Sequence, residues 1–267
     1  MKRTGASSSF VFQAASLLVA AILVHVVYVT VVWPRAEALL AAQQARMQVD
    51  PGFVQDRSIW VVLRDYEQES EIILMLWALA IIVEKVVRLR REQRLFERDL
   101  VPVTEGMRIL PADVRDHTRE LQALPAEERT SLLPRALLAA LHRFGATSSV
   151  ADASASAHDV CDGEADRLDS ELSLLRYIAW AIPAIGFIGT VRGIGDALAQ
   201  AHRAMQGDLS GVTQGLGTAF NSTLVALLLS LVLMFLLHHL QTEQERLVRD
   251  AESYLDERLL RSLRVAQ

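Results

Sequence analysis

Two threonines, Thr190 and Thr223, lie in the two apolar segments nearest the C-terminus, where a hydroxyl can offer an ion a polar oxygen. Small residues surround both. On a 3.6-residue period Pro183, Gly186, Thr190, Gly193 and Ala197 share one face, and Ala219, Ser222 or Thr223, Ala226 and Ser230 form a matching stripe. One reading is ordinary helix packing, with Gly189-x-x-x-Gly193 as an association motif; the other is a narrow path lined by the hydroxyls of Thr190, Ser222 and Thr223. Neither segment carries a carboxylate, His or Lys at mid-membrane depth, because Arg192 and Asp196 fall near one end and His238-His239 at the other. If protons cross here, the carboxylate that carries them is expected from another polypeptide.

Other chemistries are poorly served. There is no Gly-x-x-x-x-Gly-Lys-Ser/Thr loop, no His-Glu-x-x-His, and no strand ahead of Gly193-x-Gly195 to make a dinucleotide turn. The lone Cys161 has only His158 at ligand spacing, so neither a disulfide nor a zinc site is expected. A net charge of −5 leaves no basic excess for nucleic acid. No cofactor, metal or enzymatic activity is expected, and the available energy is the membrane potential, about 2.3 kcal/mol per charge per 100 mV.

The elements that would position these residues are helices in a membrane. Hydrophobic residues make up 51% of the 267, and mean hydropathy is +0.24. Residues 10–33 carry no charge, and at about 1.5 Å per residue they reach about 36 Å, enough to cross a bilayer. A signal peptide is the rival reading, with Lys2 and Arg3 as its basic start and Ala36-Glu37-Ala38 as a cleavage site, but its apolar region would be shorter. Further spans are expected at 71–89, 174–198 and 217–238, the first of these being the weakest. Lys85, Arg88, Arg90, Arg91, Arg94 and Arg98 lie at and beyond the end of the second span, and five arginines lie in the tail from Arg246 to Arg264. Both termini (1–9 and 239–267) and the 90–173 region are therefore expected in the cytoplasm, with 34–70 as a periplasmic loop and 199–216 as a short periplasmic hairpin.

Within 90–173, Pro102, Pro111, Pro125 and Pro134 predict several short helices. The small, polar run 145–157 reads as a flexible connection before a helix that begins near Gly163 and runs into the third span. Leu247, Ala251, Tyr254, Leu255 and Leu259 predict an amphipathic helix continuing the fourth span. His25, inside the first span, is either a proton relay or a neutral, hydrogen-bonded packing residue. Glu84 is expected to pair with Arg88, Arg192 with Asp196, and Asn221 with a neighbouring helix. The fold class is all-α: a polytopic protein with four transmembrane helices, the last two extended into the cytoplasm.

The stretch from Gly186 to Ile194 (GFIGTVRGI), followed by Gly215 to Leu227 (GLGTAFNSTLVAL), resembles the signature pair of the MotA/TolQ/ExbB proton-channel family. The resemblance covers residues 168–260. It implies a bacterial inner-membrane pentamer, a ring whose last two spans surround a dimer of an ExbD-, TolR- or MotB-like single-span partner. That partner supplies the ion-carrying Asp, and ion flow drives its motion. Carried over residue by residue, Thr190 and Thr223 would face that Asp, and Pro183, Gly186, Gly189 and Gly193 would be close-packing positions. Ala226 completes the packing stripe, and Arg192 and Asp196 would lie at the periplasmic mouth. The extra span at 10–33 resembles the four-span MotA arrangement rather than ExbB or TolQ, and the sub-family stays open. A non-conducting oligomeric scaffold is the alternative function.

Overall fold

The computed structural model describes residues 4–49, 58–101 and 108–264. Lys2, Arg3 and Pro102 lie outside the described residues. The chain forms two compact units, one of Met1–Ile82 with Leu174–Leu237 and the other of Val83–Ser173 with His238–Gln267.

In the first unit, α1 (Thr4–Val27) passes through a widened π-turn (Tyr28–Val32) into α2 (Trp33–Val49). The helix therefore continues well past residue 33, into the stretch expected to be a loop. The cause is local: the Trp33 N–H reaches back to the Tyr28 carbonyl, and the wider turn lets the chain pass Pro34, which has no N–H to give. A short α3 (Ile59–Val62), capped by the Ser58 hydroxyl, precedes α4 (Tyr66–Gln93). Val24, Tyr28 and Val32 bury themselves against Trp60, Leu63, Ile72, Ile73 and Leu76. Two indoles pin this packing, since Trp33 Nε1 donates to the Arg64 carbonyl and Trp77 Nε1 to the Gln13 carbonyl, both at 2.9 Å.

The second unit contains α5 (Val114–Gln122), α6 (Ala126–Arg129), α7 (Leu132–Thr147) and α8 (Val150–Glu171). The expected flexible connection is instead helix. Only Ser148, in the left-handed region at φ 51°, and Ser149, whose hydroxyl accepts the Asp152 N–H at 3.2 Å, separate α7 from α8. Alanine favours helix, and Ala153, Ala157 and Cys161, four residues apart and fully buried, make a smooth stripe for close packing. A composition that reads as a linker is thus a packing face. Glu164, 1% exposed, is held between Arg135 at 2.9 Å and Arg167. Arg88 lies 3.9 Å from Glu171, which Lys85 also binds at 2.9 Å, in place of the expected partner Glu84. Glu92 accepts the Leu132 N–H at the start of α7, and burial pushes its carboxyl above the usual range.

Helix α9 (Ser173–Ala199) begins after a break at Leu172, so α8 does not run unbroken into it. A short α10 (Ala201–Met205) and a turn at Gly207, φ +95°, precede α11 (Ser210–Tyr254), a single helix of 45 residues. Its far end buries Leu247, Ala251, Leu255 and Leu259. Among the described residues three helical stretches are long and apolar enough to cross a membrane: Phe10–Met47, Val150–Ala199 and Ser210–Leu260. Helix α4 falls short because its uncharged run, Ile72 to Val83, reaches only about 18 Å before Glu84 and Lys85.

Candidate functional site

Helices α9 and α11 meet along a seam made almost entirely of small residues. Gly186, Gly189, Gly193 and Ala197 are buried on one side, and Gly215, Ala219, Ser222 and Ala226 on the other. A methyl group placed on Gly193 would lie 2.6 Å from the Ala219 nitrogen and 2.6 Å from the Gly215 carbonyl oxygen. One on Gly215 would lie 2.7 Å from the Ala197 nitrogen. Here backbone touches backbone, which only glycine permits. A methyl on Gly186 would collide with Ala226, and one on Gly189 with the Ser222 side chain. Pro183 sits half-buried beside the seam, next to the fully buried Ile182. Ser230 donates across it to the Ala179 carbonyl at 3.3 Å.

At the flank of this seam the hydroxyls of Thr190 and Thr223 touch each other. Thr190 Oγ1 lies 3.2 Å from the carbonyls of both Gly186 and Ala219, and Thr223 Oγ1 lies 3.4 Å from the same two oxygens. Two hydroxyl protons are shared among four oxygens, so hydroxyl lone pairs remain for a third group to donate to or be coordinated by. Both threonines are half-buried, which leaves that third group a way in. Ser222, expected beside them, is fully buried, and its Oγ has no protein hydrogen bond.

The glycine seam and the hydroxyl pair fall within a stretch, residues 129–253, that matches the family model described as the MotA/TolQ/ExbB proton channel family. Over residues 129–253 the chain is similar to that family. The match begins upstream of residue 168, where the motif resemblance starts, so it takes in all of α7 and α8. No curated protein and no solved structure matches the chain. The family so described is one of membrane proton channels, and among the described residues three helices are long and apolar enough to cross a bilayer.

Arg192, inside the matched stretch, does not rely on Asp196. Its Nε and Nη2 grip both oxygens of Glu67 at 2.7 and 2.8 Å, whereas Asp196 is 3.8 Å away and 64% exposed. Asp65 adds a third carboxylate at 3.6 Å. Glu67, at the start of α4 and outside the matched residues, was not among the residues singled out from sequence. His25 Nδ1 on α1 lies 2.8 Å from Glu69, which sits on the same turn of α4 as Glu67, and the histidine side chain is 60% exposed. Asn221 is buried on α11.

The fork geometry gives a direct test. Arg192→Lys keeps the charge but not the two-point grip, so it is expected to lower thermal stability by about 1–2 kcal/mol, the charged-bond range discounted for the half-exposed guanidinium. Asp196→Asn should change melting little. Equal melting of Arg192→Lys and the parent in the same detergent would refute the assignment.

The residues missed from sequence form a group at the start of α4: Glu67, Gln68, Glu69 and Glu71 are all buried. Their polar, acidic composition read as a loop end. The available signal was that Glu67 and Glu71 are four apart and lead directly into the apolar run, which puts both on one helical face.

Proposed function

We propose that this chain is the ring-forming subunit of an ion channel of the bacterial inner membrane, working with a single-span partner that supplies the ion-carrying Asp. Five copies surround a dimer of an ExbD-, TolR- or MotB-like protein, and proton flow past the ring drives its motion. The observation that carries this reading is the half-buried Thr190–Thr223 hydroxyl pair on a glycine seam within the matched domain. In a lipid environment such hydroxyls are the polar groups an ion carrier could use. Support for a ring comes from the outward faces of the same helices: Phe187, Val191 and Ile194 on α9, and Phe220, Leu224 and Leu227 on α11, are exposed in the single chain. Exposed apolar area of this extent calls for lipid or protein cover.

In this reading α4 is the fourth span, helped across by the burial of its charged ends, and both termini are cytoplasmic. Arg192 and Asp196 lie at the periplasmic mouth. Native mass spectrometry tests the assembly, on the protein alone and co-expressed with a neighbouring single-span protein whose helix contains an Asp. A pentamer that takes up two partner copies is expected; a monomer or dimer that ignores the partner would overturn the channel reading in favour of a scaffold held by the glycine seam alone.

A further inference from the structure

The first unit encloses a carboxyl group with no ion-pair or hydrogen-bond partner among the described residues. Glu71 is completely buried, and neither carboxyl oxygen has a hydrogen-bond partner. It does not sit in an apolar pocket of its own helix: its Oε1 lies 3.4 Å from where a methyl on Gly186 would be, so it points at the α9–α11 seam. Three more buried side chains of the same unit have polar atoms without a hydrogen bond among the described residues: Gln68 on α4, Tyr28 on the π-turn and Ser222 on α11. Tyr28 is within electrostatic reach of Glu71, and Ser222 Oγ packs on Gly189, one turn along the seam from Gly186.

The cations nearby are already committed. Arg192 is gripped by Glu67, His25 is bonded to Glu69, and Arg64 is paired with Asp65 at 3.3 Å. The other titratable groups facing Glu71 would not help an anion there: Glu67 and Glu69 on its own helix and Tyr28 on the π-turn are negative or neutral. Helix α11 contributes only hydroxyls. An ionised carboxylate left unpaired in such a place is strongly disfavoured, and the simplest remedy is a proton. Once protonated, the group carries no charge and has one O–H to donate.

We propose that Glu71 is a proton-binding site of this chain, a neutral carboxyl lodged against the glycine seam and in exchange with the solvent proton. It shares Gly186 with the hydroxyl pair: the carbonyl of that glycine takes the Thr190 and Thr223 hydroxyls, and Glu71 Oε1 lies beside its Cα, among the atoms that would crowd a methyl there. The chain then carries a titrating group of its own beside the path, and any part of Glu71 in ion flow rests on the channel reading above. Proton binding itself does not.

The test uses the full-length protein in detergent, without partner, treated with dicyclohexylcarbodiimide, a lipophilic reagent that adds to protonated buried carboxyls to give a stable N-acylurea. Peptide mapping by mass spectrometry should place one adduct on Glu71, with labelling that falls by about tenfold per pH unit above the midpoint of its titration. Sodium at constant pH should not protect. The adduct should vanish in Glu71→Gln and persist in Ser222→Ala, which keeps the carboxyl should the first variant fold poorly. No adduct on the folded protein, or labelling independent of pH, would overturn the proposal; protection by sodium at fixed pH would overturn the proton as the ligand. Because neither partner nor ion flux enters the readout, failure here is separable from failure of the channel reading, which native mass spectrometry decides.

Discussion

Thr190→Val and Thr223→Val are each expected to abolish proton flow through the complex with its partner while leaving assembly intact. Valine matches threonine in shape, so the seam keeps its packing. The hydroxyls bond to carbonyls of Gly186 and Ala219 that already accept helical N–H groups, so losing one hydroxyl bond should cost only about 1 kcal/mol of stability. On the proposed reading the functional loss is larger, because the two hydroxyls touch and each valine removes one of the pair. Proton uptake into vesicles containing ring and partner is the measurement, and Thr190→Ser and Thr223→Ser should restore it. Full uptake in both valine variants would end the channel reading and leave the scaffold.

Gly193→Ala is expected to destabilise the protein although alanine normally favours a helix. A glycine inside a helix costs about 1 kcal/mol relative to alanine, so Gly195→Ala, with nothing within 4 Å of the added methyl, should be neutral or stabilising. At Gly193 the same methyl meets the Ala219 nitrogen, the Gly215 oxygen and, at 2.9 Å, the Ala219 Cα. Those are backbone atoms of α11 and cannot rotate away, so the helices must separate, with a loss of about 1–3 kcal/mol for alanine and more for leucine. Melting temperatures in one detergent separate the two glycines by sign. If both alanine variants melt alike, the α9–α11 crossing is not built as described. Because this seam serves a channel and a scaffold equally, the glycine variants test the architecture and the threonine variants test the chemistry.

Much of the seam was legible beforehand because helical spacing alone puts Gly186, Gly193 and Ala197 on one face and Ala219 and Ala226 on another. Gly189 joins them by association spacing, and the structure buries it against Ser222. Thr190 and Thr223 stood out as hydroxyls in otherwise apolar helices. Less was legible where composition misleads: the Ala- and Ser-rich run ahead of Ala157 has the look of a linker, and only the presence of α7 alongside turns it into a packing face. Pro34 marked a helix end that the π-turn before it removes.

By itself the sequence determined that the chain is helical, that it carries segments apolar and long enough to cross a membrane, which two of them hold the threonine hydroxyls, and that the middle of those two holds no carboxylate. These follow from local properties, namely charge-free length, side-chain period and residue type. What only the tertiary structure decided is which distant residues meet. Arg192 binds Glu67 rather than its helical neighbour Asp196, because a fork of donors matches a carboxylate presented end-on by another helix better than one four residues along its own. Glu71 reaches the Gly186 crossing from α4, so a carboxyl absent from the two seam helices is supplied from a third. Such meetings depend on how helices remote in sequence pack, and no spacing along a single segment encodes them.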